Sequence, residues 1–525
     1  MQQVIDSLSV VKPQVAKWAV HEGEVIYAPA DTVNWKKEFQ PFTSEDVNQL
    51  RYKDAFDVTD EMIGQDRIIR FEAKEDDQEI REVHYKIHKG SIVYFKMVKE
   101  RSNIFSQSFQ RFEFNQNQYE FVLEQSIHGV FENNQTVHGD ILEDGDLWLG
   151  HFQLEADKMP FQMLFRNDTE HELVTKNGTE RSAFNTFSKR GDTLVFESDV
   201  FRTRFEIEQI SESSMSGTWY SNQSDRPRIV PFTAQKGVMN RTGVTTTPSI
   251  NLSGEHLAVF YTEDGEPEDS TVLSINQTAH NVYASFLTQT GDYRYLEGGI
   301  RNDSLFLSTV DGSHVFYFYA SVKGNALEGV FRSGNHWKQP WKAFIGTPYT
   351  LHNPSDMTKA ISDSAVTFSF PASKNELISL EDEQFSNRPV IISITGTWCP
   401  NCMDEAAFLQ EVRDMFSEDE LGIVSLDFEL ISDSVKAFEN IEKHKKTLGL
   451  TYPVLLASVK SSKQNASEML PFVDRIISYP TMVVLNRNHE VVRTHAGFSG
   501  PATGTSHYDA FRKEYLELFE HLVAN

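Results

Sequence analysis

The chain has 525 residues, of which 39% are apolar and 24% are charged, and its formal net charge is −27 at pH 7. This length exceeds what one hydrophobic core supports and predicts roughly three or four domains, while the composition excludes long disordered stretches. The acidic balance excludes a protein that follows a phosphate backbone, so we expect no nucleic-acid partner.

The beginning of the chain, MQQVIDSLSVVKPQ, has neither the basic start nor the apolar core of a secretory signal. No run of residues approaches the roughly twenty apolar residues that a membrane span requires. Either the protein is leaderless or a targeting segment has been removed, and membrane attachment would need a segment outside this chain. The sequence leaves these alternatives open.

Residues 1–140 are predicted to form an N-terminal α+β module. A short helix is expected first, followed by irregular sequence up to about residue 65. From Ile69 onwards apolar and polar residues alternate, and Lys89–Gly90 interrupts the alternation, which indicates a hairpin. This pattern places His84 and His88 together on a solvent-facing side of one strand, where we interpret them as ordinary polar positions.

The middle of the chain contains an internal similarity. GDTLVFES (191–198) resembles NDSLFLST (302–309), and SGTWYSN (216–222) resembles LEGVFRSG (327–334). Aligning Asp192 with Asp303 gives an offset of 111 residues and Gly217 with Gly329 gives 112, so both pairs share one register. Short alternating strands separated by Asn, Asp and Gly turns predict small antiparallel barrels or sandwiches. We interpret 141–240 and 250–346 as two related β modules.

Two tryptophans, Trp337 and Trp341, stand in the segment SGNHWKQPWKAF of the second β module. Aromatic side chains beside a polar loop form a ligand platform in some proteins, but more often they close the end of a barrel. The following segment, 347–362, contains two prolines and no clear period, so we interpret it as a linker.

Residues 363–525 show a different pattern, in which strands alternate with helices. Strands are predicted at VTFSF, PVIISIT, LGIVSLDFE, YPVLLA and PTMVVLN, and a final hairpin turns at Asn486–His489. Helices are predicted after Asp404, from about residue 434 with Ser432 or Asp433 as its cap, and over the last nineteen residues. This order predicts a layered α/β domain.

Both cysteines of the chain, Cys399 and Cys402, lie where a buried strand leads into a helix. Residues three apart on a helix are close enough for a disulfide, and a helix N-terminus favours a thiolate. Pro400 occupies the first helical position, where its missing N–H costs nothing. We therefore expect a redox pair at the mouth of a helix, facing solvent. Half of a zinc site and two inert buried thiols remain alternatives, although His444, His489, His495 and His507 follow no ligand spacing.

These motifs together resemble a thioredoxin-like domain, and more closely the extracytoplasmic thiol-disulfide oxidoreductases of the TlpA/ResA type. The resemblance rests on TGTWCPNCMDE and on SYPTMVVLNRNHEVVRTHAGF, in which a proline opens a strand some eighty residues later. It implies that Cys399 attacks and Cys402 resolves, beside a cis-proline at Pro480. It also implies a substrate groove, formed by Trp398, Pro400, Tyr479, Pro480 and Thr481.

Glu405 stands three residues after Cys402 and matches an acidic position of the ResA-type C-x-x-C-x-x-E pattern. Such an acid can hold or shuttle the proton that Cys402 must lose, but a carboxylate near a helix start is also stabilising in itself. Two positions depart from the related families. Ser393 replaces the buried strand acid of thioredoxin, and the dipeptide between the cysteines is Pro-Asn, so no reduction potential is carried over.

The resemblance implies an enzyme that exchanges disulfides with protein substrates, most plausibly as a reductant in the cell envelope or periplasm, with an upstream thiol reductant as its second partner. No metal, flavin or nicotinamide is expected, and the redox group is the Cys399–Cys402 disulfide itself. Chains that join β-rich modules to such a domain are familiar among Bacteroidota-type envelope proteins, which indicates architecture and location.

Two other functions stay open. A thiol peroxidase of the peroxiredoxin type shares the fold, but Ile392 and Gly396 occupy the positions of its Pro and Thr motif residues. Alternatively, the β modules bind an envelope ligand or partner, and the redox domain is accessory. The sequence does not reveal the substrate, the direction of electron flow, the potential, the ligand of the β modules or the oligomeric state.

Overall fold

A computed structural model gives the fold of the chain. It describes residues 2–11, 13, 15–21, 24–27, 33–40, 52, 54–75, 77–115, 118–127, 131–142, 146–155, 157–167, 171–237, 241–243, 248–278, 280–361 and 365–524. The chain forms two compact units: Met1–Leu147 with Gly243–Ser249 and Thr278–His280, and Trp148–Thr242 with Ile250–Gln277 and Asn281–Asn525. The bounds of the five segments that the sequence predicts stay a prediction, and those at residue 240 and at 362/363 lie outside the described residues.

The first unit contains two described helices and a nine-stranded antiparallel sheet. Its elements are α1 (Gln2–Val11), β1 (Val15–His21), β2 (Glu24–Tyr27), α2 (Trp35–Glu38), β3 (Phe56–Ile63), β4 (Asp66–Ala73), β5 (Ile80–His88), β6 (Ser91–Ser102), β7 (Ser106–Asn115), β8 (Gln118–Ile127) and β9 (Phe131–Ile141). The predicted hairpin at Lys89–Gly90 joins β5 to β6. The prediction that His84 faces solvent is wrong, because this side chain is buried and its ring packs edge-on against Tyr94.

The second and third sheets also have nine strands each and belong to the second unit. The second sheet consists of β10 (Asp146–Leu154), β11 (Asp157–Asn167), β12 (His171–Asn177), β13 (Glu180–Ala183), β14 (Thr186–Arg190), β15 (Thr193–Glu197), β16 (Thr203–Ile210), β17 (Ser214–Ser221) and β18 (Arg228–Lys236). The third sheet consists of β19 (Gly254–Tyr261), β20 (Pro267–Thr278), β21 (Asn281–Thr288), β22 (Gly291–Asp292), β23 (Leu296–Arg301), β24 (Ser304–Val310), β25 (Val315–Lys323), β26 (Ala326–Ser333) and β27 (Trp337–Phe344).

All three sheets follow one topology, an up-and-down meander in which the first strand pairs with the last. These pairs of first and last strands are β1 with β9, β10 with β18 and β19 with β27. In the third sheet β20 also pairs with β21, which closes the ring into a barrel. Closure removes the exposed edges from the ring of the third sheet, whereas β2 and β3 are the outer strands of the first sheet and β13 and β14 those of the second.

The internal similarity of the sequence falls on corresponding strands. Asp192 and Asp303 stand in the turns before β15 and β24, and Gly217 and Gly329 lie within β17 and β26, nine strands apart in both cases. A Cβ atom at Gly217 would lie 2.1 Å from the carbonyl oxygen of Glu206, and one at Gly329 would lie 1.9 Å from that of Tyr319. Both glycines therefore allow the same close approach of neighbouring strands.

The C-terminal part of the second unit has a central five-stranded sheet in the order β32-β31-β30-β33-β34. Its elements are β28 (Ser369–Ser373), β29 (Glu376–Ser379), β30 (Val390–Thr395), α3 (Pro400–Met415), β31 (Gly422–Phe428), α4 (Ser434–Leu448), β32 (Val454–Ser458), α5 (Lys463–Met469), β33 (Thr481–Leu485), β34 (Val491–Ala496) and α6 (Ala510–Ala524). The strands β30, β31 and β32 run parallel, and β33 and β34 are antiparallel to their neighbours. The layered α/β domain and the hairpin at Asn486–His489 are confirmed. The strand predicted at VTFSF begins three residues later, at Ser369.

Local sequence signals set the two long helices next to this sheet. Pro400 is the first residue of α3, and the apolar side chains Phe408 and Val412 of this helix are buried. Asp433 caps α4 by accepting the backbone N–H groups of Val435 and Lys436, and Gly449 ends it in the left-handed conformation, with φ 65°. These are the residue types that helix ends favour, which is why both boundaries lie close to the predicted ones. Within the described residues, no helix is both long and apolar enough to span a bilayer.

The two tryptophans of β27 have opposite environments, which gives a matched test of the third core. Trp341 is 2% exposed and packs on Phe286 and Phe318, whereas Trp337 is 53% exposed. We expect Trp341→Ala to lower the free energy of unfolding by about 3–5 kcal/mol, because it leaves a large cavity. Trp337→Ala should change it by less than about 0.5 kcal/mol. Urea unfolding of both variants measures this, and equal effects would show that Trp341 is not part of the core.

Candidate active site

The two cysteines form a disulfide at the N-terminus of α3, with their Cα atoms 5.2 Å apart. Cys399 is the residue that caps the helix, and its Sγ accepts the backbone N–H of Cys402 at 3.2 Å. The strand β30 before it is buried throughout and brings the pair to the carboxyl edge of the sheet. A sulfur in this position receives a backbone N–H and the positive end of the helix dipole, and both stabilise a thiolate after reduction.

The predicted exposure of the pair is wrong. Cys399 is 5% exposed and Cys402 1%, so neither sulfur lies on the open surface. Cys399 instead lines a cavity of about 300 Å³, which we call the Cys399 cavity. Trp398, Pro400 and Asn401 form one side of it, and residues of the third sheet form the other. Of the two cysteines, Cys399 lines this cavity and Cys402 does not.

The residues around the predicted cis-proline lie next to the sulfur. The peptide bond between Tyr479 and Pro480 is cis, and the Tyr479 carbonyl oxygen lies 3.5 Å from Cys399 Sγ. The Tyr479 ring packs edge-on against Trp398, with centroids 5.5 Å apart. Thr481 is fully buried, and its hydroxyl donates to the Ser478 carbonyl at 2.9 Å. Of the predicted groove residues, Trp398 and Pro400 line the Cys399 cavity, whereas Tyr479, Pro480 and Thr481 do not.

Glu405 is fully buried one turn after Cys402 and receives a hydrogen bond from the Ser393 hydroxyl. Burial raises the pKa of Glu405 to about 8, although the bond from Ser393 acts in the opposite direction. A buried carboxyl with this pKa is not an ordinary solvated helix-start carboxylate, so the observed position favours the proton-holding interpretation. The strand position that holds an acid in thioredoxin is occupied here by Ser393, which donates the hydrogen bond to Glu405.

A second buried acidic pair, Asp427 and Glu429, was missed by the sequence interpretation. Burial raises the pKa of Glu429 to about 6, although the hydrogen bond that Glu429 accepts from the Thr397 hydroxyl acts to lower it. Burial also raises the pKa of Asp427. Between them, the Phe428 carbonyl accepts the Trp398 indole N–H at 3.0 Å. The only available signal was the alternation of acids at the carboxyl end of a buried strand, in LDFE.

The third sheet is joined to the cysteine loop by a buried ionic cluster centred on Arg294. Its guanidinium forms ion pairs with Glu180 and Asp404 and donates to the Pro400 carbonyl oxygen at 3.0 Å. Burial raises the pKa of Glu180 to about 7 despite the opposing effect of Arg294, and it also raises the pKa of Asp404. Breaking such a buried pair leaves uncompensated charge, so this cluster holds α3 firmly against the β-rich part.

Two further hydrogen bonds connect the same surfaces. Asn401 donates to the Asp292 carbonyl oxygen at 3.2 Å, and the Asp292 carboxylate accepts the Gly500 N–H at 2.6 Å. Gly291 adopts φ 141°, and a Cβ atom there would lie 2.1 Å from the Asn401 amide nitrogen. Only glycine fits this approach of β22 to α3. Within the described part of the chain, no group of three or more His, Cys, Asp or Glu side chains forms a metal-binding cluster.

Comparison with known proteins agrees with this fold. Residues 360–510 match the family described as Redoxin, a segment of less than a third of the chain. A thiol-disulfide oxidoreductase from Bacteroides fragilis is 21% identical over 26% of this chain and 93% of its own, with a TM-score of 0.21. StoA from Bacillus subtilis is 21% identical over 30% and 99%, with a TM-score of 0.21. A secreted thiol-disulfide isomerase from Corynebacterium glutamicum is 17% identical over 34% and 99%, with a TM-score of 0.24.

None of the curated proteins searched matches the chain. The C-terminal part of the chain is therefore a Redoxin domain with a thioredoxin-like fold, and the predicted multidomain architecture of antiparallel β sheets followed by this domain is confirmed.

The raised pKa of Glu405 predicts a pH-dependent stability. The folded chain binds this proton more tightly than the unfolded chain, whose ordinary pKa is 4.5, so stability falls as the pH rises from about 4.5 to about 8. In Glu405→Gln, we expect the loss of unfolding free energy over this pH range to be smaller by about 4 kcal/mol. Urea unfolding of the oxidised protein at pH 5 and pH 9 measures the difference. Glu418→Gln, at an exposed position after α3, is the control, and an unchanged pH profile in Glu405→Gln would contradict the prediction.

Proposed function

We propose that the protein is a thiol-disulfide oxidoreductase that reduces disulfides in protein substrates through Cys399 and Cys402. The observation that carries this proposal is the position of the disulfide, at a helix N-terminus with Cys399 opening on a cavity. Two inert thiols would need neither the cap position nor the cavity. The Redoxin match of residues 360–510 supports the same class of chemistry.

In the proposed mechanism, the Cys399 thiolate attacks a substrate disulfide and forms a mixed disulfide. The N–H of Cys402 stabilises this thiolate, because it already points at Cys399 Sγ. The Tyr479 carbonyl oxygen, 3.5 Å from Cys399 Sγ, is a backbone group beside the attacking sulfur. Cys402 then attacks Cys399 and releases the reduced substrate.

Cys402 must lose a proton before it can resolve the mixed disulfide, and Glu405 is the group proposed to take it. The two residues are one helical turn apart and therefore neighbours on the same face of α3. A carboxyl with a pKa of about 8 exchanges protons near neutral pH, where proton transfer is most effective. No metal, flavin or nicotinamide takes part in this proposal, since the disulfide itself carries the two electrons.

The proposed setting is the cell envelope or periplasm, with an upstream thiol reductant that resets the pair. The presence of only two cysteines, both in the redox pair, supports an oxidising compartment, where spare thiols mispair. The direction of transfer follows the resemblance of the cysteine and proline motifs to envelope reductants.

Insulin-disulfide reduction tests the proposed activity directly. We expect the wild type, supplied with dithiothreitol, to accelerate insulin precipitation, and Cys399→Ser to fall to the uncatalysed rate because the attacking sulfur is gone. Cys402→Ala should retain a covalent complex with substrate proteins, since the mixed disulfide is no longer resolved. Equal rates for wild type and Cys399→Ser would reject the proposal. Peroxide consumption without another thiol carrier would favour the peroxidase alternative instead.

A further inference from the structure

The side of the Cys399 cavity opposite the cysteine loop is built by the third sheet. Three residues of different chemistry line it here: Asp311 and His314 from the turn between β24 and β25, and Phe316 from the start of β25. A histidine in the same cavity as a reactive sulfur is of interest, because imidazole exchanges protons near neutral pH.

His314 is held in one orientation by its neighbours. Asp311 accepts the backbone N–H groups of Ser313 and His314, at 2.9 and 2.6 Å, and its other carboxylate oxygen lies 3.1 Å from His314 Nδ1. The imidazole ring stacks on Phe316, with centroids 4.5 Å apart. Because Asp311 engages Nδ1, Nε2 is the nitrogen left for proton exchange.

The turn is also tied to the cysteine loop itself. The Ser313 hydroxyl donates to the Trp398 carbonyl oxygen at 3.0 Å, immediately before Cys399. His314 therefore follows a residue that is bonded to the redox motif. Together with the Arg294 cluster, this bond keeps the imidazole at the cavity during the reaction.

Several charged groups lie around His314 in the cavity. Asp311 is 2% exposed, and although burial acts to raise its pKa, the proximity of His314 and Arg294 holds it below its ordinary value. The Arg294 guanidinium is already neutralised by Glu180 and Asp404. The other titratable groups near the imidazole are Asp269 and Asp292, which line the same cavity, and His336, whose pKa is lowered to about 4 mainly by burial.

We infer that His314, oriented by Asp311, is a third member of the redox site: its imidazolium stabilises the Cys399 thiolate and donates a proton to the thiolate that leaves the substrate. This inference rests on the proposed oxidoreductase function. It makes the third sheet a part of the active site and not an accessory to it.

The balance of the reaction is as follows. Cys399 Sγ bonds to one substrate sulfur, the substrate S–S bond breaks, and the leaving thiolate takes the proton of the His314 imidazolium. The Cys402 thiol gives its proton to the Glu405 carboxylate and attacks Cys399 Sγ. The second substrate thiolate leaves and takes up the proton that Glu405 then releases. The substrate disulfide gains two electrons and two protons, which the dithiol loses, and an upstream dithiol reductant resets the protein.

The pH profile of Cys399 alkylation tests this role in the full-length chain. In the reduced protein, loss of the cation in His314→Gln should raise the midpoint of iodoacetamide reactivity by about one pH unit and slow insulin reduction about tenfold at neutral pH. Asp311→Asn keeps an oxygen for the Ser313 and His314 N–H groups but removes the charge, so it should shift the midpoint in the same direction by less. His352→Gln, at an exposed position that lines a different cavity, should leave both readouts unchanged.

The outcomes separate this inference from the proposed function. If His314→Gln and Asp311→Asn both keep the wild-type midpoint while the wild type reduces insulin, the role of His314 is rejected and the oxidoreductase remains. If Cys399→Ser reduces insulin at the wild-type rate, the proposed function itself fails. Thermal unfolding of each variant shows whether it is folded, and if His314→Gln is not, the midpoint in Asp311→Asn decides.

Discussion

The position of the redox pair depends on the ion pairs of one side chain, Arg294. Its guanidinium is bonded to a carboxylate of the second sheet, to a carboxylate of α3 and to the carbonyl oxygen of the residue after Cys399. A planar guanidinium with five donors can satisfy three such partners at once, whereas a lysine ammonium cannot do so with the same geometry. Removing charges from water costs free energy, so such a cluster adds little to stability. Its effect is to fix one arrangement of the second sheet, the third sheet and the C-terminal α/β domain.

This arrangement changes what the β-rich part of the chain does. Because the turn after β24 reaches Trp398 and the loop around β22 reaches Asn401, the sulfur is enclosed by two sequence-distant parts of one unit. A thioredoxin-like domain alone presents its attacking cysteine on a surface. Here Cys399 is 5% exposed, and access is set by the dimensions of a cavity.

The sequence predicted what is encoded locally and missed what depends on long-range contact. Some signals act within a few residues, and the elements that they define were predicted well. They are the proline at the start of α3, Asp433 and Gly449 at the ends of α4, and the alternation of apolar and polar residues in β5 and β6. The prediction of a solvent-facing Cys399 was wrong because residues far away in the chain line its cavity. The prediction of a solvent-facing His84 was wrong because its ring packs on Tyr94 of the neighbouring strand. Glu405 and Ser393 were each noticed, but their hydrogen bond joins a helix to a strand and only the fold brings them together. The N-terminal meander was also missed, since β1 pairs with β9 across more than a hundred residues.

The glycine at position 291 sets the width of the gap between the third sheet and α3. Its backbone lies against the side-chain amide of Asn401, where a Cβ atom would be 2.1 Å from the amide nitrogen, and its φ of 141° is one that other residues rarely adopt. Any side chain at this position would therefore have to displace the Asn401 amide from its hydrogen bond to the Asp292 carbonyl oxygen. The contact between β22 and the start of α3 thus depends on the one residue type that brings no side chain into it.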